Sequence, residues 1–184
     1  MSDNYFTNPI EFLISTLFSL YILAIMLRFL LGMVRADFYN PVSQFLVRIT
    51  NPVLVPLRKV IPSVGKFDIS AVALMIVLQI TALTLIVLLR GGDVPVSAIL
   101  IISLAKLVSL AINVFFFAII IQVILSWINP GTYNPVTALI YSITTPILRP
   151  IQQLIPSISG IDLSPLFAII GLQVLRMLIM PLLG

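Results

Sequence analysis

The chain has 184 residues, of which 60% are hydrophobic and only 9% are charged, with a formal net charge of +4 at pH 7. Soluble domains carry about 25% charged residues, so this composition excludes a water-soluble globular fold and indicates a membrane protein. The chain contains no cysteine and no histidine. Disulfides, thiolate nucleophiles, thiolate or imidazole metal sites and a histidine acid/base are therefore excluded.

Four apolar runs predict four transmembrane helices, at residues 10–34, 69–89, 96 or 107–128, and 163–183. The second run has no charge and as a helix would be about 31 Å long, the thickness of a hydrocarbon core. Lys106 interrupts the third run, so we place its buried part after Lys106 and interpret residues 96–105 as a helical extension near the surface. The first run follows a segment without basic residues, which indicates a retained helix rather than a cleaved signal.

The chain contains an internal duplication. When it is shifted by 94 positions, residues 39–79 align with 133–173 without a gap, and 17 of the 41 pairs are identical. We predict two tandem repeats, residues 1–92 and 93–184. An even number of spans separates them, so both connecting segments lie on the same side of the membrane and the repeat is parallel. The matched pairs include Tyr39/Tyr133, Asn40/Asn134, Pro41/Pro135, Thr50/Thr144, Pro52/Pro146, Pro56/Pro150, Asp68/Asp162, Ser70/Ser164 and Gln79/Gln173.

The connecting segments, residues 37–67 and 131–161, keep their apolar residues at helical spacing and their polar residues on the other face. This pattern predicts amphipathic helices that lie in the membrane interface. Thr50 and Thr144 precede a proline by two residues, which is typical of a helix start, while Pro56 and Pro150 are expected to prevent one continuous helix. We therefore predict an interfacial helix-turn-helix in each repeat of an all-α integral membrane protein.

Basic residues are concentrated on the side of the connecting segments. By the positive-inside rule this side is cytoplasmic, and both termini lie outside, in the periplasm of a bacterium with an inner membrane. The same residues form a candidate surface for anionic lipid headgroups or partner proteins, and no nucleic-acid partner is expected. The surface comprises Arg48, Arg58, Lys59, Lys66 and Arg149.

Asp68 and Asp162 occupy equivalent positions, each at the start of a predicted membrane helix. One interpretation is a helix cap, in which the carboxylate accepts backbone N–H bonds. The other notes that Gln79 and Gln173 lie three helical turns further on the same face, so that two polar stripes could face each other across a pseudo-twofold axis. Glutamines that only join helices through hydrogen bonds remain an alternative to a conducting path.

Three charges lie within predicted spans and need a partner or water. Arg176 follows Gln173 by three residues on one face, and Glu11 is the acid best placed by depth to meet it. Arg28 is placed to reach Asp68 or Asp162. No phosphate loop, carboxylate pair, metal-spaced cluster or serine-nucleophile turn is present in the sequence, so we do not expect an enzyme.

The segments at residues 37–62 and 133–165 resemble the YGGT family of integral membrane proteins, through their prolines, the basic residue of the second amphipathic stretch and the Asp-x-Ser helix start. Gln152 and Gln153 depart from the basic residues expected there. The resemblance implies a role in bacterial cell division, envelope organisation or osmotic tolerance, and in plastid relatives assembly of cytochrome b6.

From these patterns we predict a non-enzymatic membrane scaffold or assembly factor without a cofactor. Its predicted partners are lipid and other membrane proteins, and a homo-oligomer is one possible form of the assembly. The alternative is a small ion pathway along the Asp/Gln stripes that supports osmotic adaptation. We do not expect this chain to bind haem, because histidine and cysteine are missing and only Met26, Met33 and Met75 remain as candidate ligands.

Overall fold

Six α-helices account for nearly all of the chain that the structure describes. The structure is a computed structural model, and it describes residues 3–65, 67–128, 134–155 and 162–183. The helices are α1 (Asp3–Met33), α2 (Pro41–Val60), α3 (Ile69–Leu89), α4 (Val96–Ile128), α5 (Pro135–Leu154) and α6 (Ser164–Ile179), and a short 3-10 helix follows at Met180–Leu183.

Four helical segments within the described residues are long and apolar enough to cross a membrane. They are Asn8–Met33, Ile69–Leu89, Val96–Ile128 and Ser164–Leu182. The predicted all-α chain with four spans is thereby confirmed. The helix of the third span begins at Val96 and continues through Lys106 without a break, which agrees with the helical extension predicted at residues 96–105.

Both connecting segments are helical over equivalent positions, 41–60 and 135–154. The predicted helix-turn-helix is wrong, because each segment is one continuous helix that contains two prolines. In α2 these are Pro52 and Pro56, which are both exposed and lie one turn apart. A proline removes the N–H partner of the carbonyl four residues earlier. Those carbonyls belong to Arg48 and Pro52, which are both exposed residues, so a bend of the helix can open them to solvent.

The transmembrane helices form one continuous bundle, in which α1 packs against α3, α3 against α4, and α4 against α6. The connecting helices α2 and α5 lie at the same end of this bundle, as the duplication predicts. They meet where Nδ2 of Asn40 donates to the carbonyl of Pro135 at 2.6 Å. We refer to this end as the α2/α5 end.

The two repeats bury the same positions. One core cluster contains Ile25, Leu54 and Leu74, and another contains the residues 94 positions later, Ile119, Leu148 and Ala168. A third cluster joins the repeats, since it combines residues of α1 and α2 with residues of α4 and α5. The duplication therefore extends from the sequence to the packing.

Candidate functional site

A buried arginine fastens α2 to α1. The side chain of Arg28 is only 7% exposed, and its Nη1 donates to Oγ1 of Thr50 at 2.5 Å. The hydroxyl of Thr50 in turn donates to the carbonyl of Leu46 at 2.6 Å. Hydrogen bonds from a charged donor are stronger than neutral ones, so this contact holds the inner face of α2 on the bundle.

Asp68 caps α3 and forms an ion pair with Arg58 of α2. Its Oδ1 accepts from the backbone N–H of Ala71 at 3.2 Å, which agrees with the helix-cap interpretation. Burial opposes ionisation of this carboxyl. The hydrogen bonds from Arg58 and Ala71 and the charges of Arg58 and Arg28 outweigh it, so the pKa of Asp68 lies below its usual value.

These residues surround a cavity of about 600 Å³ at the α2/α5 end, which we call the arginine cavity. Arg28 and Asp68 both line this cavity, but Arg28 hydrogen-bonds to Thr50 and the ion pair of Asp68 is made with Arg58. The described lining combines three guanidinium groups and one carboxylate with aromatic side chains. These side chains belong to Arg28, Arg35, Arg58, Asp68, Phe29, Phe38 and Phe67.

The second repeat keeps these contacts but not their charges. Gln122 occupies the position equivalent to Arg28, and its Oε1 accepts a hydrogen bond from the hydroxyl of Thr144. Arg58 is replaced by Gln152, whose Nε2 donates to Oδ2 of Asp162 at 2.8 Å. The two repeats thus carry equivalent hydrogen bonds, and only the first repeat makes them with guanidinium groups.

Asp162 also caps α6, although it precedes the N-cap residue Leu163. Its Oδ1 accepts from the backbone N–H of Ser164 at 2.8 Å. Burial raises the pKa of this carboxyl, whereas the hydrogen bonds from Ser164 and Gln152 lower it, and the net pKa of Asp162 lies below its usual value. A carboxylate at a helix start is stabilised in the same way by backbone donors and by the helix dipole.

The two Asp/Gln stripes do not face each other. Within the described residues α3 and α6 share no contact, because α4 packs between them. Gln79 instead lines a small cavity of about 80 Å³ with Ser15, Ser19 and Lys106, and Gln173 lies half-buried on α6. The predicted arrangement of the stripes across a pseudo-twofold axis is therefore wrong.

Glu11 pairs with Arg90, not with Arg176. The contact has two hydrogen bonds, from Nε of Arg90 at 2.9 Å and from its Nη2 at 2.7 Å. It joins the start of α1 to the end of α3, at the opposite end of the bundle from α2 and α5. Arg176 is exposed on α6 and has no ion pair within the parts of the chain that the structure describes.

Only part of the candidate basic surface is exposed and available for binding. Arg48, Lys59 and Arg149 are exposed, whereas Arg58 is half-buried and bound to Asp68. Lys66 lies outside the described residues. The predicted orientation of Arg58 away from the protein is therefore wrong, because its guanidinium turns inward to the cap of α3.

Comparison with known families gives the same internal symmetry. The family model CCB3/YggT matches the chain twice, at residues 7–89 and 101–183, so that both ends of the match are displaced by the same 94 residues. The chain belongs to the CCB3/YggT family. The resemblance inferred from the proline-rich segments is confirmed.

Relatives in this family match nearly the whole chain. An uncharacterised protein of Pseudomonas aeruginosa is 47% identical over 170 residues, which cover 91% of this chain and 86% of that protein. A protein of Vibrio alginolyticus is 42% identical over 96% of each chain. The protein named YggT of Escherichia coli K12 is 34% identical over 92% of this chain and 88% of its own. No solved structure matches.

Sequence reasoning missed Thr50, Thr144 and Gln122 as parts of the site. The threonines were interpreted as helix caps, yet each lies inside a helix with its hydroxyl turned toward the bundle. The signal was present, because the offset of 94 that relates the two threonines also relates Arg28 to Gln122. Met26 and Met75 are buried in the same apolar core, and no cluster of three metal-binding side chains occurs among the described residues.

Proposed function

We propose that this CCB3/YggT protein is a non-enzymatic scaffold or assembly factor of the bacterial inner membrane. The outer faces of α2 and α5 would bind anionic lipid headgroups and partner membrane proteins. The observation that carries the proposal is the two-sidedness of α2, because one face packs on the bundle through Ser43, Leu46, Thr50 and Leu54 while the other face is exposed.

The exposed face of α2 combines apolar and basic side chains. Phe45 is 60% exposed and Val60 is 78% exposed, and Arg48 and Lys59 lie among them. Apolar area together with basic residues is the composition of helices that bind the membrane interface. The α5 helix repeats it in weaker form, with exposed Val136, Leu154 and Arg149.

The ion-pathway alternative is less well supported. It depended on two facing stripes, but Gln79 and Gln173 lie on helices without mutual contact within the described chain. Buried apolar residues, among them Ile22, Met26 and Met75, lie in the core of the first repeat. A scaffold needs no polar path through this core.

We place α2 and α5 in the cytoplasm and both termini outside, because the basic residues are concentrated at the α2/α5 end. Alkaline phosphatase fused after Gly184 should then be active, and the same enzyme inserted at Gly160 should be inactive. A green fluorescent protein at the same two positions should give the reverse pattern. Activity at Gly160 alone would invert the orientation and move the proposed partner surface outside.

Replacing Arg48, Lys59 and Arg149 with glutamine should weaken partner binding. A basic residue near an anionic membrane surface contributes about 1 kcal/mol, so loss of three should weaken the attraction of the α2 and α5 faces to anionic headgroups by about 3 kcal/mol in total. Affinity purification of the tagged chain from crosslinked membranes, followed by mass spectrometry, should lose its partners in parallel. Gln153→Ala changes an exposed residue of α5 without changing charge and serves as the control. Retention of partners by the triple variant would contradict the scaffold proposal.

A further inference from the structure

The arginine cavity carries an excess of positive charge. Among its described lining residues, Arg28, Arg35 and Arg58 face one carboxylate, Asp68, which is already bound to Arg58. Arg28 is the most buried of the three, and its hydrogen bond within the described chain goes to a neutral hydroxyl. Asp68 compensates these three guanidinium groups only in part, so an anion in this cavity would relieve the cost of their burial and of their mutual repulsion.

The second repeat shows that the fold does not need these charges. Gln122 and Gln152 occupy the positions of Arg28 and Arg58, and they make the equivalent contacts to Thr144 and Asp162. Hydrogen bonding at these positions is therefore satisfied by a neutral amide. The positive charge of the first repeat exceeds what its structural role requires.

Arg35 gives independent support. It follows the end of α1 with a φ of 54°, in the left-handed region that favours glycine. Two bonds form a helix-ending turn around it, from the N–H of Arg35 to the carbonyl of Gly32 and from the N–H of Ala36 to that of Leu31. The long cationic side chain of Arg35 thus lines the cavity at a backbone position that favours glycine.

We propose that the arginine cavity binds a phosphate-type anion, supplied either by the headgroup of an anionic lipid or by a free phosphate ion. Guanidinium groups bind phosphate oxygens through paired N–H donors, and Arg28 uses one of its five for Thr50. A volume of about 600 Å³ accommodates a headgroup. Phe29, Phe38 and Phe67 in the lining suit the glycerol and first methylenes of a lipid.

This inference goes beyond the scaffold role, because the cavity is distinct from the exposed faces of α2 and α5. The test uses the purified full chain in a non-ionic detergent and follows its melting temperature during titration. One arm adds phosphatidylglycerol, with phosphatidylcholine, whose net charge is zero, as the comparison. The other adds inorganic phosphate, with sodium chloride at equal ionic strength.

A saturable rise with phosphatidylglycerol alone identifies the lipid headgroup, and a saturable rise with inorganic phosphate identifies the free ion. In either case Arg28→Gln should weaken binding about tenfold, as expected for loss of a charge-assisted bond to phosphate. Arg35→Gly should also weaken it, and since glycine suits this backbone the variant remains folded. Arg176→Gln, which removes an exposed arginine of α6 outside the cavity, should leave the affinity unchanged.

Two results would overturn the proposal. The first is the absence of any saturable rise with both probes. The second is equal weakening by Arg176→Gln and Arg28→Gln, which would assign the binding to the general positive charge of the chain. Both results are independent of partner recovery, so failure here and failure of the scaffold proposal can be told apart.

Discussion

Asp68→Ala should lower the free energy of unfolding by about 3 kcal/mol, whereas Asp162→Ala should lower it by about 1 kcal/mol. Both substitutions remove a carboxylate that accepts backbone N–H bonds at a helix start. Only Asp68→Ala also leaves a guanidinium without its counter-ion. The side chains of Asp68 and Arg58 are 18% and 35% exposed, so we take the low end of the range for a buried pair. Denaturation of both variants by sodium dodecyl sulfate, followed by circular dichroism, measures the difference.

The same comparison has a defined pH dependence. The pKa of Asp68 is lower in the folded state than in the unfolded state, so its contribution to stability is complete above about pH 4 and is lost as the pH falls through the folded-state pKa. The native chain and Asp68→Ala should therefore converge in stability at acidic pH. Equal losses from Asp68→Ala and Asp162→Ala at neutral pH would show that the ion pair adds nothing to the cap.

The sequence predicts the elements of this fold because their determinants are local. Apolar runs of membrane length identify the four spans, and the offset of 94 assigns the connecting helices and the carboxylates that precede α3 and α6. Even the neutral character of the second site is visible in the sequence, since Gln152 replaces Arg58. These features depend only on the spacing of residues along the chain, and a single sequence gives that spacing completely.

Pairing between helices was not predictable in the same way. The position of a residue in a span gives its depth, but not the direction in which its side chain points. Glu11 was therefore assigned to Arg176 at a plausible depth, whereas the packing of α1 against α3 brings it to Arg90. The same ambiguity placed the stripes of α3 and α6 face to face although α4 separates them.

The prolines were misinterpreted for a different reason. The cost of a proline inside a helix depends on whether the freed carbonyl can be solvated, and this depends on which face it occupies. Pro52 and Pro56 lie on the exposed face of α2, where the cost is small enough for the helix to continue. Burial is a property of the tertiary structure, so the sequence pattern alone favoured a break.

Thr50→Val should destabilise the protein by about 2 kcal/mol, and Thr144→Val by about 1 kcal/mol or less. Both threonines are fully buried in equivalent positions, and valine has nearly the same volume. Thr50 accepts a hydrogen bond from the guanidinium of Arg28, whereas Thr144 contacts the neutral amide of Gln122. Thr50→Val removes the acceptor of a buried charge, whereas Thr144→Val removes a donor to a neutral amide oxygen, which costs less, so the two losses should differ.

A double-mutant cycle isolates the charged contact. In the Arg28→Gln background the pair at positions 28 and 50 has the same side chains as Gln122 and Thr144, so Thr50→Val should then cost no more than Thr144→Val does in the native chain. The coupling between residues 28 and 50 should be about 1 kcal/mol, measured by the same denaturation in detergent. If the coupling is absent, Arg28 is not held by Thr50 in solution. The guanidinium would then be free to turn fully into the arginine cavity, and its affinity for phosphate would be unaffected by Thr50→Val.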